Sequence, residues 1–282
     1  MSLEVTIAVL LAALLHASWN AMLKGGSDVL FDTGAIIVGS SVVALPFLFF
    51  LPLPDAASWP YIFASIIAHA AYYYLMINAY RSGELSLVYP LMRGVAPLIT
   101  ALLGIVWLRE WPAALSWAGI VLISLGVIAL ALRPTDERLW SGHRLAVGFA
   151  LANAVVIASY SIIDGTGARL AGNPWSYVTW LCVLDGIPFS LYVLATRRRA
   201  FIDAMYQRRR NGLIGGGFSI LAYAIVLWAM TKAPVALVAS LRETSVLFAT
   251  LFGAYLLKER LTPRRWAGVG AVVIGVIALK LA

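Results

Sequence analysis

Two arginines and a glutamate sit in stretches of this sequence that offer them no water. Ala233–Glu259 is an apolar stretch of membrane length with Arg242 and Glu243 near its middle, and Leu85–Glu110 is a second with Arg93 at matching depth. A charge at bilayer depth costs about 2.5–3.5 kcal/mol on insertion scales, so it marks an aqueous cavity, an internal partner or a ligand. Each arginine lies about eight residues into its stretch, about 12 Å of helical rise from one face and near the midplane. With Glu243 neutralising one guanidinium, a single positive charge is left over. Arginine grips a carboxylate, phosphate or phosphonate through a planar two-bonded fork, and that is the chemistry these residues offer. The competing role is structural: Arg93 pairs with Glu243, and Arg242 with Asp164 or a backbone carbonyl, tying the stretches together.

Other polar residues share faces of apolar helices. His16, Asn20 and Lys24 fall at i, i+4 and i+8 with Trp19 beside them, one stripe of one helix. His16 reads as a proton-binding group or as a histidine hydrogen-bonded between helices. Asn20 both donates and accepts, which suits a cavity wall, whereas Lys24 at the helix end snorkels to the interface. Asn153, Tyr160 and Asp164 form another stripe, and Asp164, near its helix end, reads as a gate carboxylate or a solvated one. Tyr72, Tyr73 and Tyr74 are consecutive and cannot all face inward; Tyr74 is selected because it matches Tyr223 in the repeat described below. Trp180 and Asp185 lie in one further stretch, Asp185 as a coupling carboxylate or the counter-ion of an arginine. Pro90, Gly94 and Pro97 surround Arg93 and predict a broken helix there, since proline removes a backbone donor and kinks the helix.

The elements that carry these residues are membrane spans. Of 282 residues 62% are hydrophobic and 12% charged, about half the charged share of a soluble domain. Ten spans are predicted, at roughly 3–23, 30–51, 59–80, 85–108, 113–132, 145–164, 175–196, 212–232, 234–257 and 264–281. The pattern is all-α, because no ten-residue stretch alternates as a membrane strand would. The net charge of +8 resides mainly in short loops at helix ends, which implies membrane lipids rather than nucleic acid as partner. Cys182 stands alone, and His16, His69 and His143 have no ligand spacing, so no disulfide, metal or cofactor is implied.

The chain is also a duplication. At one offset of 149 residues, Arg93 falls on Arg242, Tyr74 on Tyr223, Gly104 on Gly253, Glu110 on Glu259, Trp117 on Trp266 and Gly126–Leu130 on Gly275–Leu279. The repeats are 1–140 and 141–282, five spans each. Five is odd, so the copies cross the membrane in opposite senses, an arrangement that places a transport site near the midplane. Fifteen Lys and Arg residues fall in the loops on one side and four on the other, which puts both termini outside.

Two spans end in Leu-Arg-Glu-Trp-Pro (108–112) and Leu-Lys-Glu-Arg-Leu-Thr-Pro (257–263), each followed by a Gly-rich span with Trp-Ala-Gly. These motifs and the five-plus-five plan resemble the EamA-type family of the drug/metabolite transporter superfamily. The opening His16–Lys24 is similar to that of members encoded near phosphonate-degradation genes. The resemblance implies a ten-helix alternating-access permease in a bacterial inner membrane, with a cavity lined by spans 1, 3, 4, 6, 8 and 9. Together with the residues it predicts a proton-coupled secondary transporter of a small anionic or zwitterionic metabolite. Substrate would meet Arg93, Arg242, Glu243, Asn20, Trp19, Tyr74, Tyr160, Tyr223 and Trp180; Glu243, Asp164, Asp185 and His16 would couple protons or gate. The alternatives are export of amphipathic or cationic compounds through an aromatic box of Trp19, Tyr160, Trp180 and Trp228, or a membrane-embedded enzyme or scaffold, the enzyme lacking any metal or nucleophile cluster. Monomer and homodimer both remain open.

Overall fold

Runs of Leu, Val, Ile and Ala with hydrogen-bonding backbones have one way to lie in lipid, which is helical. The computed structural model describes residues 1–24, 29–83, 85–131, 144–256 and 262–282, and among these every regular element is a helix. They are α1 (Leu3–Lys24), α2 (Val29–Ala44), α3 (Trp59–Ser82), α4 (Leu85–Leu103), α5 (Ala114–Ala131), α6 (Arg144–Leu170), α7 (Pro174–Met230), α8 (Val235–Arg242), α9 (Ser245–Leu256) and α10 (Pro263–Leu281). Short 3₁₀ turns, Leu45–Phe49 and Ala56–Ser58, join α2 to α3, and a π-helical turn, Gly104–Leu108, ends α4. Among the described residues, seven helical segments are long and apolar enough to cross a membrane, and Ala114–Leu130 is a shorter apolar helix. Large apolar side chains such as Ile7, Ile67, Leu125 and Leu191 stand exposed on the outer faces, as lipid contact requires.

Three predicted elements take a different form. The stretch between the seventh and eighth spans is helical rather than a loop, so α7 runs 57 residues. Straight, it would be about 85 Å long. Arg197 leaves the helical region (φ −142°, ψ 42°) and bends it into two arms. Both arms lie along α2: Ser41 Oγ donates to the Cys182 carbonyl of the first at 2.8 Å, and Ser40 Oγ to the Gly216 carbonyl of the second at 3.1 Å. The second difference is that Pro90 and Pro97 do not break α4, which is continuous. The third is that its counterpart breaks instead, at Glu243 and Thr244 between α8 and α9. There Thr244 N–H and Oγ1 both donate to the Leu241 carbonyl, at 3.1 and 2.7 Å, so a tighter turn replaces the helical ladder. A hydroxyl competing for its own backbone is the cause, and proline is not required.

Packing follows an exchange rule. α4 packs on α6, and α1 on the α8–α9 pair; α3 packs on α6, and α1 on α7; α5 packs on α10. At the α5–α10 contact, a Cβ on Gly119 would lie 2.9 Å from the Gly275 carbonyl, and one on Gly126 2.9 Å from the Gly268 carbonyl. Shifted by 149 residues, each of these contacts becomes the other. The glycines let two backbones touch, the small-residue packing expected inside a membrane. Gly126→Val therefore forces the helices apart and lowers stability by about 1–3 kcal/mol. Gly270→Ala, which points into open space, leaves stability unchanged or raises it by up to about 1 kcal/mol. Melting curves of the detergent-purified variants check both signs.

Candidate functional site

A cavity of about 230 Å³ lies among α1, α2, α3, α4, α6, both arms of α7 and α8. Six of these walls correspond to spans 1, 3, 4, 6, 8 and 9. Two more contribute: α2, through Thr33, Ile36, Ile37 and Ser40, and the first arm of α7, through Cys182 and Asp185. Asn20, Tyr80, Thr33 and Tyr89 lie towards the helix ends that meet the basic loops, so the cavity reaches that side. The opposite half is filled by buried Val5, Val9, Ile62, Ile162, Tyr177, Val235 and Val238. It is also clamped. Arg169 donates to the Met230 and Ala233 carbonyls at 2.8 and 3.1 Å and pairs with Glu110 at 2.7 Å. Glu110 in turn accepts from the Val235 N–H at 2.8 Å, one of the unpaired donors at the start of α8.

Arg93 and Arg242 both reach the cavity wall, each about 5% exposed, and Glu243 is 1% exposed behind them. Glu243 Oε2 lies 2.8 Å from Arg93 Nε, and Oε1 lies 3.5 Å from Arg242 Nη2. One carboxylate thus bridges two arginines from different repeats. The Arg93 contact does not align as a hydrogen bond, so it acts through charge. Glu243 follows Arg242 directly at the end of α8, with its backbone still in the helical region (φ −67°, ψ −11°). Arg242 also lies 5.9 Å from the Tyr160 ring centroid, and its Nε has no hydrogen-bond partner among the described residues. Arg93 Nη2 donates to His16 Nε2 at 3.4 Å, and Asn20 turns its amide to the His16 carbonyl at 2.8 Å. Trp19 meets His16 edge to face at 5.0 Å and lines the cavity, its indole N–H unpaired.

A second charged group lies across the cavity. His69 Nδ1 is 3.5 Å from Asp185 Oδ2, and both residues line the cavity. The His69 ring packs edge to face on Tyr160 at 4.8 Å and tilts against Tyr223 at 6.3 Å. Tyr223 donates to Asp164, which also accepts from Tyr177 at 2.9 Å.

Several residues stand elsewhere than the sequence reading put them. Tyr74 is 65% exposed on the outer face of α3, and its neighbours Tyr72 and Tyr73 face the cavity instead. Trp180 packs on Trp59 at 5.2 Å, and among the described residues neither it nor Trp228 lines the cavity, so the aromatic box is not formed. Asp164 is fully buried rather than solvated, held by two tyrosine hydroxyls. Asp185 faces a histidine, not an arginine. His69, which the sequence analysis weighs only for metal-ligand spacing, is a cavity residue that the structure adds. The side chain of Lys24, and Glu259 and His143, lie outside what the structure describes.

Apolar helices wrapped around a charged cavity at bilayer depth define an integral membrane protein built to expose a polar site within lipid. A profile of the EamA-like transporter family matches residues 4–132 and again 144–281, so the chain belongs to that family and is a membrane transporter. It is 22% identical over 246 residues to the uncharacterized transporter YwfM of Bacillus subtilis strain 168, covering 80% of this chain and 74% of that protein. A solved structure described only as the crystal structure of a protein superposes with a TM-score of 0.77 at 16% identity, covering 100% of this chain and 98% of the other, a likeness of fold.

Removing the shared carboxylate isolates the triad's electrostatics. Glu243→Gln leaves two buried arginines facing each other and costs about 3–5 kcal/mol. Adding Arg93→Met to it recovers most of that loss. Thermal melting of the two variants tests the coupling; equal melting of wild type and Glu243→Gln would mean that the arginines do not depend on Glu243.

Proposed function

We propose that this protein is a proton-coupled secondary transporter that moves a small anionic or zwitterionic metabolite by alternating access. The observation that carries the reading is the Arg93–Glu243–Arg242 triad on the cavity wall. Its three charges sum to one positive charge, and the unpaired Arg242 Nε leaves a donor free. An anion seated between the guanidiniums takes over the role of Glu243, which then accepts a proton. Amino-acid-like carboxylates, phosphonates and organic phosphates fit that chemistry.

The two repeats, 1–140 and 141–282, are read as inverted copies. The exchange rule in their packing supports this, as does the double match of the family profile. With the basic loops in the cytoplasm of a bacterial inner membrane, the cavity is in an inward-facing state. The Glu110–Arg169 clamp then closes the outer side, and both termini lie outside. The rim tyrosines and Asp185 favour a second reading, export of cations, which the same test separates.

Proteoliposomes preloaded with 2-aminoethylphosphonate, glucose 6-phosphate or an amino-acid mixture are given the labelled form outside. The expected outcome is counterflow of at least one anionic probe, accelerated by an imposed pH gradient and reduced at least about tenfold in Arg93→Ala and Arg242→Ala. Counterflow of quaternary amines alone, unchanged in the arginine variants, would replace this reading with cation export.

A further inference from the structure

The cavity has two electrical ends, and only one is used by an anion. At the first, the triad sums to one positive charge. At the second, the Asp185 carboxylate lies against His69. Asp185 brings a carboxylate to the cavity surface: it lines the wall, and its side chain is 15% exposed. Its contact with His69 is an ion-pair distance without hydrogen-bond alignment, so its lone pairs remain available.

The ends are close but not adjacent. Arg242 lies 5.9 Å from the centre of the Tyr160 ring, and that ring lies 4.8 Å from His69. One aromatic ring separates the positive from the negative side. A simple anion satisfies the arginines and leaves the Asp185 carboxylate on the cavity wall without a ligand partner. A ligand with an ammonium at its far end satisfies both, and its methylenes lie along Tyr160.

We infer that the cavity is a dipolar site for a short-chain zwitterion, with the anion on Arg93 and Arg242 and the ammonium on Asp185, which sets the specificity. This rests on the anion site proposed above and adds the second pole. The charge on each end forms the match, since opposite charges placed at opposite ends reject a ligand carrying only one of them.

The test compares ligands that differ only in the amine, 2-aminoethylphosphonate with ethylphosphonate and γ-aminobutyrate with butyrate, by calorimetric titration of the purified full-length protein. In the wild type at least one aminated member binds at least about tenfold tighter than its partner, the worth of a hydrogen bond to a charged group. In Asp185→Asn that ratio falls below about twofold. Equal binding of both members in the wild type overturns the dipolar site and leaves the anion site standing. Failure of all four to bind overturns both. An amine preference that survives in Asp185→Asn overturns the assignment to Asp185. Asp185→Ser, read the same way, serves if Asp185→Asn does not fold, and the wild-type ratio decides without either.

Discussion

Everything near the centre of this molecule depends on keeping three charges in a bilayer. An ion at that depth is tolerated only when paired or hydrated, and desolvating a pair is repaid only by close geometry. Arg93, Glu243 and Arg242 meet that condition together: the carboxylate sits 2.8 Å from one guanidinium and 3.5 Å from the other. None of the three is stable alone. Because the arginines come from α4 and the end of α8, the ion pairs also join the halves of the chain. The same contact can therefore hold the structure and, on the proposed mechanism, release it when a ligand anion replaces the carboxylate.

The rest of the fold positions that triad. The last turn of α8 carries Arg242 and Glu243 side by side, just before the turn at Glu243–Thr244. Glycine contacts between α5 and α10 bring these helices to backbone distance beside α4 and α8. Glu110 anchors the start of α8 from the far side and Arg169 locks the corner before it. The clamp is made of partly buried charges and backbone carbonyls, and on the proposed mechanism it lies where the carrier opens next. The cavity is accordingly bounded by apolar packing on its closed side and by tyrosines on its open one.

Much of this was legible in the sequence. A fixed offset of 149 residues paired Arg93 with Arg242 and Gly119 with Gly268, and apolar length located the spans. What escaped was any fact that depends on helix rotation or on contact between distant helices. Three consecutive tyrosines step around a helix by 100° each, and the repeat match to Tyr223 favoured Tyr74, the one that faces lipid. The repeat conserves position in the chain, and α3 and the second arm of α7 are rotated differently towards the cavity. Proline suggested a break in α4, yet Pro90 and Pro97 are accommodated, and the break is made by Thr244 hydrogen-bonding its own turn. His69 and Asp185 meet only because α3 and α7 pack together, which no local pattern encodes. The helical stretch after Arg197 falls between two predicted spans because its basic residues interrupt the apolar run, although Arg208 pairs with Asp32 of α2.

The central claim is that the triad is an anion site and not only a brace. Its most direct test is the melting temperature of the detergent-purified protein with amino acids, 2-aminoethylphosphonate, sugar phosphates and quaternary amines, run on wild type, Arg93→Ala and Arg242→Ala. A ligand at 100 times its dissociation constant adds about 2.7 kcal/mol of stability. The account predicts that an anionic or zwitterionic compound raises the melting temperature of the wild type and that the shift disappears in both arginine variants. A shift produced only by quaternary amines, and equal in all three proteins, would contradict it and make the arginines purely structural.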